Sequence, residues 1–353
     1  MVEHDNPMGT DGFEFVEYAA PDPAALASLF ATMGFAPAAR HRSKDVTLWR
    51  QGGINFVVNR QAGSFAQSFA RKHGPGVCAI GLRVADAGAA LQRALDLGAR
   101  AVEGPTGPME RHIPAIEGIG GSLIYLVDRC EEGASIWDAD FHATGDTTND
   151  ASEHAGLVSI DHLTHNVHRG RMDVWAGFYE RLFGFREIRH FDIEGRHTGL
   201  HSKAMVSPCG KIRIPINESA DDKSQIAEYL AAYRGEGIQH IALASNDIAA
   251  SVRTLAGRGV PFLDPPPDAY YDKLDARLPG HGEDIASLRR LAILMDGDAG
   301  GGRLLQIFTA TVIGPIFFEI IQRKGNEGFG EGNFRALFEA MEQDQIARGR
   351  LVV

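Results

Sequence analysis

Three residues in the second half of this 353-residue chain have types and settings that could hold a metal ion: His162, His240 and Glu319. Glu319 interrupts the apolar run Phe317-Phe318-Glu319-Ile320-Ile321, which lies between Gly314-Pro315 and Lys324-Gly325. The β-branched and aromatic make-up of that run predicts a strand. Side chains alternate along a strand, so Glu319 shares its face with Phe317 and Ile321. A carboxylate among such neighbours must be paired, protonated or bound to a cation, because desolvating an isolated charge is expensive. His162 and His240 fall in two further strand-like stretches, residues 160–167 and 238–244. Taken singly, a histidine on an apolar strand reads as a satisfied core residue.

An internal repeat changes that reading. Val77-Cys78-Ala79-Ile80-Gly81-Leu82 through Asp86 aligns without a gap on Ile238-Gln239-His240-Ile241-Ala242-Leu243 through Asp247, and Met33-Gly34-Phe35 answers Leu182-Phe183-Gly184-Phe185. The alignment sets Phe15 opposite His162 and Ala79 opposite His240. With the Arg129 and Arg323 ends matched, Tyr125 falls opposite Glu319. Scaffold residues would recur in both halves; these three do not. Two imidazoles and a carboxylate on three strands make a facial set with open positions opposite, as suits ferrous iron that activates dioxygen. Zinc takes the same donors, so ligand type leaves the metal open.

The elements that must position the three follow from periodicity and caps. In the first half a strand from Phe13 precedes a helix opened by Asp22-Pro23, with Leu26, Leu29, Phe30 and Met33 inward and Gly34 as its stop. Strands are expected at residues 46–49, 55–59, 77–84 and 122–127, with a helix from Asp86 that turns Leu91 and Leu95 inward before Gly98. Residues 142–156 are small, polar and aperiodic, which marks a linker. The order then restarts: a strand at 160–167, a helix opened by Asp173 with Val174, Phe178 and Leu182 in register, strands at 204–206, 212–216 and 238–244, and a helix from Asp247. This predicts an α+β fold of tandem βαβββ repeats, each half an open half-barrel sheet whose concave face is a natural pocket. The expected division is residues 1–141 as a domain without a metal site, 142–156 as linker and 157–353 as the catalytic domain.

Parity adds candidates around the metal set. Gln306 and Phe308 share one strand face, and Pro215 and Asn217 another, giving amides beside apolar walls that suit a ligand with a phenol or carboxylate. In Gly328-Phe329-Gly330-Glu331-Gly332-Asn333-Phe334 the glycines form a hinge and Asn333 is expected to cap the next helix, which carries Phe334, Leu337 and Phe338 on one face. That helix is either a lid over the pocket or a docked terminal helix. His165 is out of phase with His162, and His190, His197, His201 and His281 are expected in solvent.

Composition bounds the function classes. Apolar residues make up 44% and charged residues 23%, and the net charge of -11 argues against nucleic acid or an anionic membrane surface as partner. Three widely spaced cysteines exclude a disulfide framework or a cysteine metal knuckle. The N-terminus has no basic start or apolar core, and no apolar run approaches the roughly 18 residues of a membrane span. A cytoplasmic protein is expected.

From about residue 160 to 345 the chain resembles the 4-hydroxyphenylpyruvate dioxygenase family, in the vicinal-oxygen-chelate (glyoxalase-like) group of folds. The resemblance rests on Ile160-Asp161-His162 with Asn166-Val167, Ile214-Pro215-Ile216-Asn217-Glu218, Gly237-Ile238-Gln239-His240-Ile241-Ala242, Leu304-Leu305-Gln306-Ile307-Phe308, residues 317–323 and residues 328–334. It implies Fe(II) held by His162, His240 and Glu319. It also implies substrate or pocket roles for Ser202, Pro215, Asn217, Gln239, Gln306, Phe308, Phe317, Phe329, Asn333, Phe334 and Leu337, with the amides of Gln239, Asn217 and Gln306 nearest the chemistry and Phe308 and Phe334 on either side of the ring. The implied reaction takes 4-hydroxyphenylpyruvate and dioxygen to homogentisate and carbon dioxide, in tyrosine and phenylalanine catabolism, by oxidative decarboxylation, ring hydroxylation and side-chain migration. The implied assembly is a homodimer or homotetramer. Three rivals remain: hydroxymandelate synthase, which hydroxylates the benzylic carbon of the same substrate; an extradiol catechol dioxygenase; and a binding module without chemistry. Pro215 and Asn217 favour ring hydroxylation, the terminal helix argues against the catechol enzyme, and the metal set argues against the binding module.

Overall fold

Each half of the chain folds its strands into one eight-stranded sheet. The computed structural model describes residues 5–351 apart from 105, 108–109, 129–134, 145–153, 196 and 298–299, and leaves aside the side chains of residues 194, 335–340, 344 and 347. Arg129, most of the expected linker and the side chains of Leu337 and Phe338 therefore lie outside the described residues. The first sheet is built from β1 (Phe13–Ala19), β2 (Ala36–His41), β3 (Val46–Gln51), β4 (Ile54–Asn59), β5 (Gly76–Arg83), β6 (Ala115–Glu117), β7 (Leu123–Val127) and β8 (Phe141–Ala143). The second holds β9 (Leu157–Val167), β10 (Arg186–Glu194), β11 (Gly199–Val206), β12 (Arg213–Ser219), β13 (Gly237–Ser245), β14 (Leu294–Gly297), β15 (Arg303–Phe308) and β16 (Phe317–Lys324).

The strand orders are β6-β7-β5-β1-β4-β3-β2-β8 and, read the same way round, β14-β15-β16-β13-β9-β12-β11-β10. The two orders superpose except at the edges, where the first half adds β8 and the second adds β14. Pairing repeats too: β1 runs parallel to β4 as β9 does to β12, and β5 parallel to β7 as β13 does to β16. This is the α+β, glyoxalase-like repeat architecture that the sequence predicts.

Asp22, Asp86 and Asp247 each cap a helix through the side chain, accepting from Ala24, Ala89 and Ala250. Asp173 does not. The helix Met172–Phe183 starts one residue earlier, and the Glu218 carboxylate of β12 accepts from the Gly170 and Met172 amides at 2.9 and 3.1 Å. Two inward assignments also change. Val174 is 50% exposed and Leu95 38%. Met172, Ala176 and Tyr179 bury the first helix, and Ala87, Ala90 and Ala94 bury the second, where small side chains let it lie close on β6 and β7. The helix Phe65–His73, capped by Ser64, and the strands β2, β6 and β8 escaped the sequence reading.

The main apolar core runs through both halves. Phe56 of β4 stacks on Phe318 of β16 with ring centroids 6.0 Å apart, the Gly53 amide donates to the Val158 carbonyl at 2.7 Å, and His73 Nδ1 lies 2.9 Å from the Tyr233 carbonyl oxygen. Among the described residues no helix is long and apolar enough to cross a membrane.

Candidate metal centre and cavity

His162 on β9, His240 on β13 and Glu319 on β16 meet on the concave face of the second sheet. The register explains the meeting, since Ala242 of β13 pairs with His162 on one side and with Glu319 on the other. Glu319 Oε2 lies 3.2 Å from His162 Nε2 and 3.5 Å from His240 Nε2. All three side chains are buried.

Each is held from behind. His162 Nδ1 lies 2.9 Å from Asp161 Oδ1, and the Arg323 guanidinium grips both oxygens of Asp161 at 2.7 and 2.8 Å. A His162 that donates from Nδ1 to this carboxylate presents the lone pair of Nε2 to the cavity. Arg323 Nη1 also donates to the Gly328 carbonyl at 2.6 Å, so the support for His162 and the segment leading to the terminal helix share one cation. His240 stacks on Phe317 with centroids 4.8 Å apart, and its Nδ1 lies 3.2 Å from Gln239 Oε1. With Nδ1 donating to Gln239, Nε2 accepts from Thr164 Oγ1 at 2.9 Å. Gln306 Nε2 donates to Glu319 Oε1 at 2.9 Å, leaving Oε2 to face the imidazoles.

The electrostatics suit a cation. Burial alone would raise the Glu319 pKa, but the His162 charge beside it wins and holds the carboxyl at about 2. Burial likewise opposes the His162 charge, and Glu319 with Asp161 overrides it, raising the imidazolium to about 9. Burial keeps His240 below its ordinary value, hence neutral. The buried Glu319 carboxylate thus favours positive charge beside it, and a divalent ion would satisfy the same carboxylate. Two nitrogen donors and one oxygen donor, with ligand atoms within 4.8 Å of one another, fit a metal ion.

In front of the three lies a cavity. Of the residues expected there, Ser202, Pro215, Asn217, Gln239, Gln306, Phe308, Phe317, Phe329, Asn333 and Phe334 all line it. Ser202 and Asn217 are cross-strand partners on β11 and β12, so hydroxyl and amide stand side by side. The amides differ in freedom. Gln306 is fully engaged, donating to Glu319 and to the Phe329 carbonyl and accepting from Asn333 Nδ2 at 3.0 Å. It positions Glu319 rather than waiting for a ligand.

The terminal helix, Glu331–Ala347, closes the cavity with Phe334 and Met341. Asn333 does not cap it, because it already lies inside the first turn. The Asp296 carboxylate of β14 accepts from the Gly332 amide at 2.8 Å and serves that end instead. Gly330, at φ +82°, has no room for a side chain, since a Cβ there would run into the Gln306 amide. Glu342, buried, accepts from the Thr198 amide at 2.9 Å and the Thr198 hydroxyl at 2.8 Å, which latches the helix to the turn between β10 and β11.

Sequence reasoning missed Thr164, Phe191, Ile193, Leu200, Gln225 and Met341, which also line the cavity. Parity could have found Thr164, two residues along β9 from His162, and Leu200, two from Ser202. Gln225 and Met341 come from separate helices and left no local signal. His165 packs against Tyr179, with Nε2 2.8 Å from the phenol oxygen, on the side away from the cavity.

Two family models match this chain: the hydroxyphenylpyruvate dioxygenase N-terminal model over residues 4–142, and the glyoxalase/bleomycin resistance protein/dioxygenase superfamily model over residues 159–280. The hemolysin VllY of Vibrio vulnificus is 61% identical over 356 residues, spanning 99% of each chain. The 4-hydroxyphenylpyruvate dioxygenase of Pseudomonas aeruginosa is 58% identical over 353 residues, spanning 99% of this chain and 98% of its own. Among solved structures, a mutant 4-hydroxymandelate synthase from Streptomyces coelicolor superposes with a TM-score of 0.81 at 28% identity, covering 97% of this chain and 100% of that one.

Proposed function

This chain belongs to the 4-hydroxyphenylpyruvate dioxygenase family, and we infer that it converts 4-hydroxyphenylpyruvate and dioxygen to homogentisate and carbon dioxide. The observation that carries the reading from family to chemistry is the approach of the Glu319 carboxylate to both imidazoles at the back of an aromatic cavity. We assign the metal as Fe(II), with His162, His240 and Glu319 as its ligands; when bound, it supplies chelation of the 2-oxo acid and activation of dioxygen.

The chain's own residues do the rest. Asp161 and Arg323 fix the His162 ring, Gln239 fixes the His240 ring and Gln306 fixes the Glu319 carboxylate, so the ligands are preorganised before a metal arrives. Phe308 and Phe317 offer apolar walls from one side of the cavity and Phe334 from the other, which suits a planar ring and excludes water from the reacting centre. Asn217 and Ser202 stand together on the polar stretch of the wall, away from the fully engaged Gln306, and receive the phenol in this reading. Residues 1–141 then serve as scaffold, 142–156 as connection and 157–353 as the catalytic unit. A cytoplasmic homodimer or homotetramer completes the reading, checked by sedimentation equilibrium and cell fractionation.

Benzylic hydroxylation to hydroxymandelate is not favoured, given the lower identity to the synthase than to the dioxygenases. Oxygen uptake by protein reconstituted anaerobically with Fe(II) and given 4-hydroxyphenylpyruvate, with the product identified by mass and chromatography, tests the proposal. Homogentisate in step with oxygen supports it. Hydroxymandelate moves the chain to the synthase reaction, and no uptake removes the substrate assignment.

A further inference from the structure

Strands β10 and β11 form the hairpin at one edge of the second sheet, and alternation sorts their side chains onto two faces. Phe191, Ile193, Leu200 and Ser202 face the cavity. His190, Asp192 and His201 stand on the outer face, with side chains 43%, 68% and 41% exposed. Asp192 and His201 are direct partners across the ladder, with His201 Nδ1 2.5 Å from Asp192 Oδ1; His190 Nε2 lies 3.5 Å from the same oxygen. Their ligand atoms all fall within 4.8 Å of one another. Lys203, the ladder partner of His190, does not leave the cluster facing a bare ammonium, because Asp173 and Glu187 hold it at 2.8 and 3.0 Å.

We propose that His190, Asp192 and His201 form a second metal site on the surface, one that takes a divalent transition ion of the Zn²⁺ type with water completing its coordination. Two imidazoles and one carboxylate are the donor set such an ion prefers, and three protein ligands leave room for solvent. His190 and Asp192 lie on β10 and His201 on β11, so the ion staples the edge strand to its neighbour. The inner faces of those two strands line the cavity, and Phe191 meets Phe334 of the terminal helix edge-on at 4.9 Å. Metal on the outer face therefore steadies one wall of the cavity without touching its contents. The site stands independently of the reaction proposed above.

The test titrates the full-length metal-free chain with ZnCl₂ by calorimetry, using wild type, His201→Ala, His190→Ala and Glu319→Gln. Wild type is expected to take up two equivalents; the two surface variants each lose one, and Glu319→Gln loses the other. In the Glu319→Gln background, Zn²⁺ is expected to slow amide hydrogen exchange across residues 186–194, and adding His201→Ala abolishes the slowing. Undiminished uptake by His201→Ala overturns the site. Loss of that equivalent with no change in exchange at residues 186–194 overturns the staple.

Discussion

The two halves share a strand order and a register but not a chemistry. Where the second half has His162, His240 and Glu319, the first has Phe15, Ala79 and Tyr125. The ladders confirm these equivalences, since Gly81 pairs with both Phe15 and Tyr125 just as Ala242 pairs with both His162 and Glu319. Phe15 and Tyr125 pack ring to ring at 5.6 Å, with Trp137 edge-on to Phe15 at 5.8 Å, so aromatic packing fills the place of the His–His–Glu cluster. The outer support persists in altered form. Glu14 stands where Asp161 does and pairs with Arg83 at 3.0 Å, but with no imidazole to orient it accepts instead from Trp137 Nε1 at 2.8 Å. Glu17, in the place of Thr164, is a buried carboxylate whose pKa burial raises, and it accepts from Asn59 at 2.7 Å. The first half also keeps a cavity, lined in part by Phe15, Glu17, Tyr125 and Trp137. The difference teaches that both copies of the fold supply a cavity, while the chemistry proposed for the second rests on three side chains and what holds them.

The strongest way to break the comparison is to exchange its decisive pair. Glu319→Ala is expected to abolish both bound metal, measured by elemental analysis, and oxygen uptake, whereas Tyr125→Phe at the equivalent position leaves turnover within about twofold, a surface of difference that rests on ligation alone. Retained iron and turnover in Glu319→Ala would overturn the ligand assignment. Next in size, Asp161→Asn or Arg323→Gln is expected to weaken metal affinity or kcat about 10- to 100-fold, the range for partners behind a ligand. Glu14→Gln in the first half leaves both unchanged. A fall of the same size there would show that the halves communicate through more than packing.

The junction between the halves can be probed by stability. Phe318 is fully buried against Phe56, and Phe318→Ala should cost about 3–5 kcal/mol in chemical denaturation. The pH response of the metal-free protein should separate the halves further. His162 rises from 6.5 to about 9 on folding and Glu319 falls from 4.5 to about 2, so their ion pair stabilises fully between about pH 4.5 and 6.5; that contribution fades as pH climbs through about 9, and again as pH falls toward about 2. The melting temperature should fall as pH climbs from 6.5 through about 9, and Glu319→Gln should flatten the fall; an unchanged slope argues against the pair. Smallest of all, Leu95→Ser and Val174→Ser, one in each half and both exposed, should stay within about 0.5 kcal/mol of wild type.

Much of this was legible in the sequence. The repeat singled out the His162, His240 and Glu319 cluster because two copies of one pattern act as each other's control: an apolar residue at Phe15 or Ala79 says what the scaffold needs, and a histidine at the same place says what it does not. Alternation on β15 and β12 correctly put Gln306 with Phe308 and Asn217 with Pro215 on the cavity face. Periodicity erred at Leu95 and Val174, since it locates an apolar stripe but not the neighbour that covers it.

The sequence by itself determined the repeat, the strand parity and hence which residues of each strand share a face, because these depend on spacing along one chain. Only the tertiary structure decided that Gln306 holds Glu319 rather than a ligand, that Arg323 reaches Asp161 from another strand, that Glu218 and Asp296 serve helix ends assigned to Asp173 and Asn333, and that Met341 closes the cavity. Each of those depends on the distance between elements far apart in the chain, set by how sheets twist and helices dock, and no local pattern encodes it.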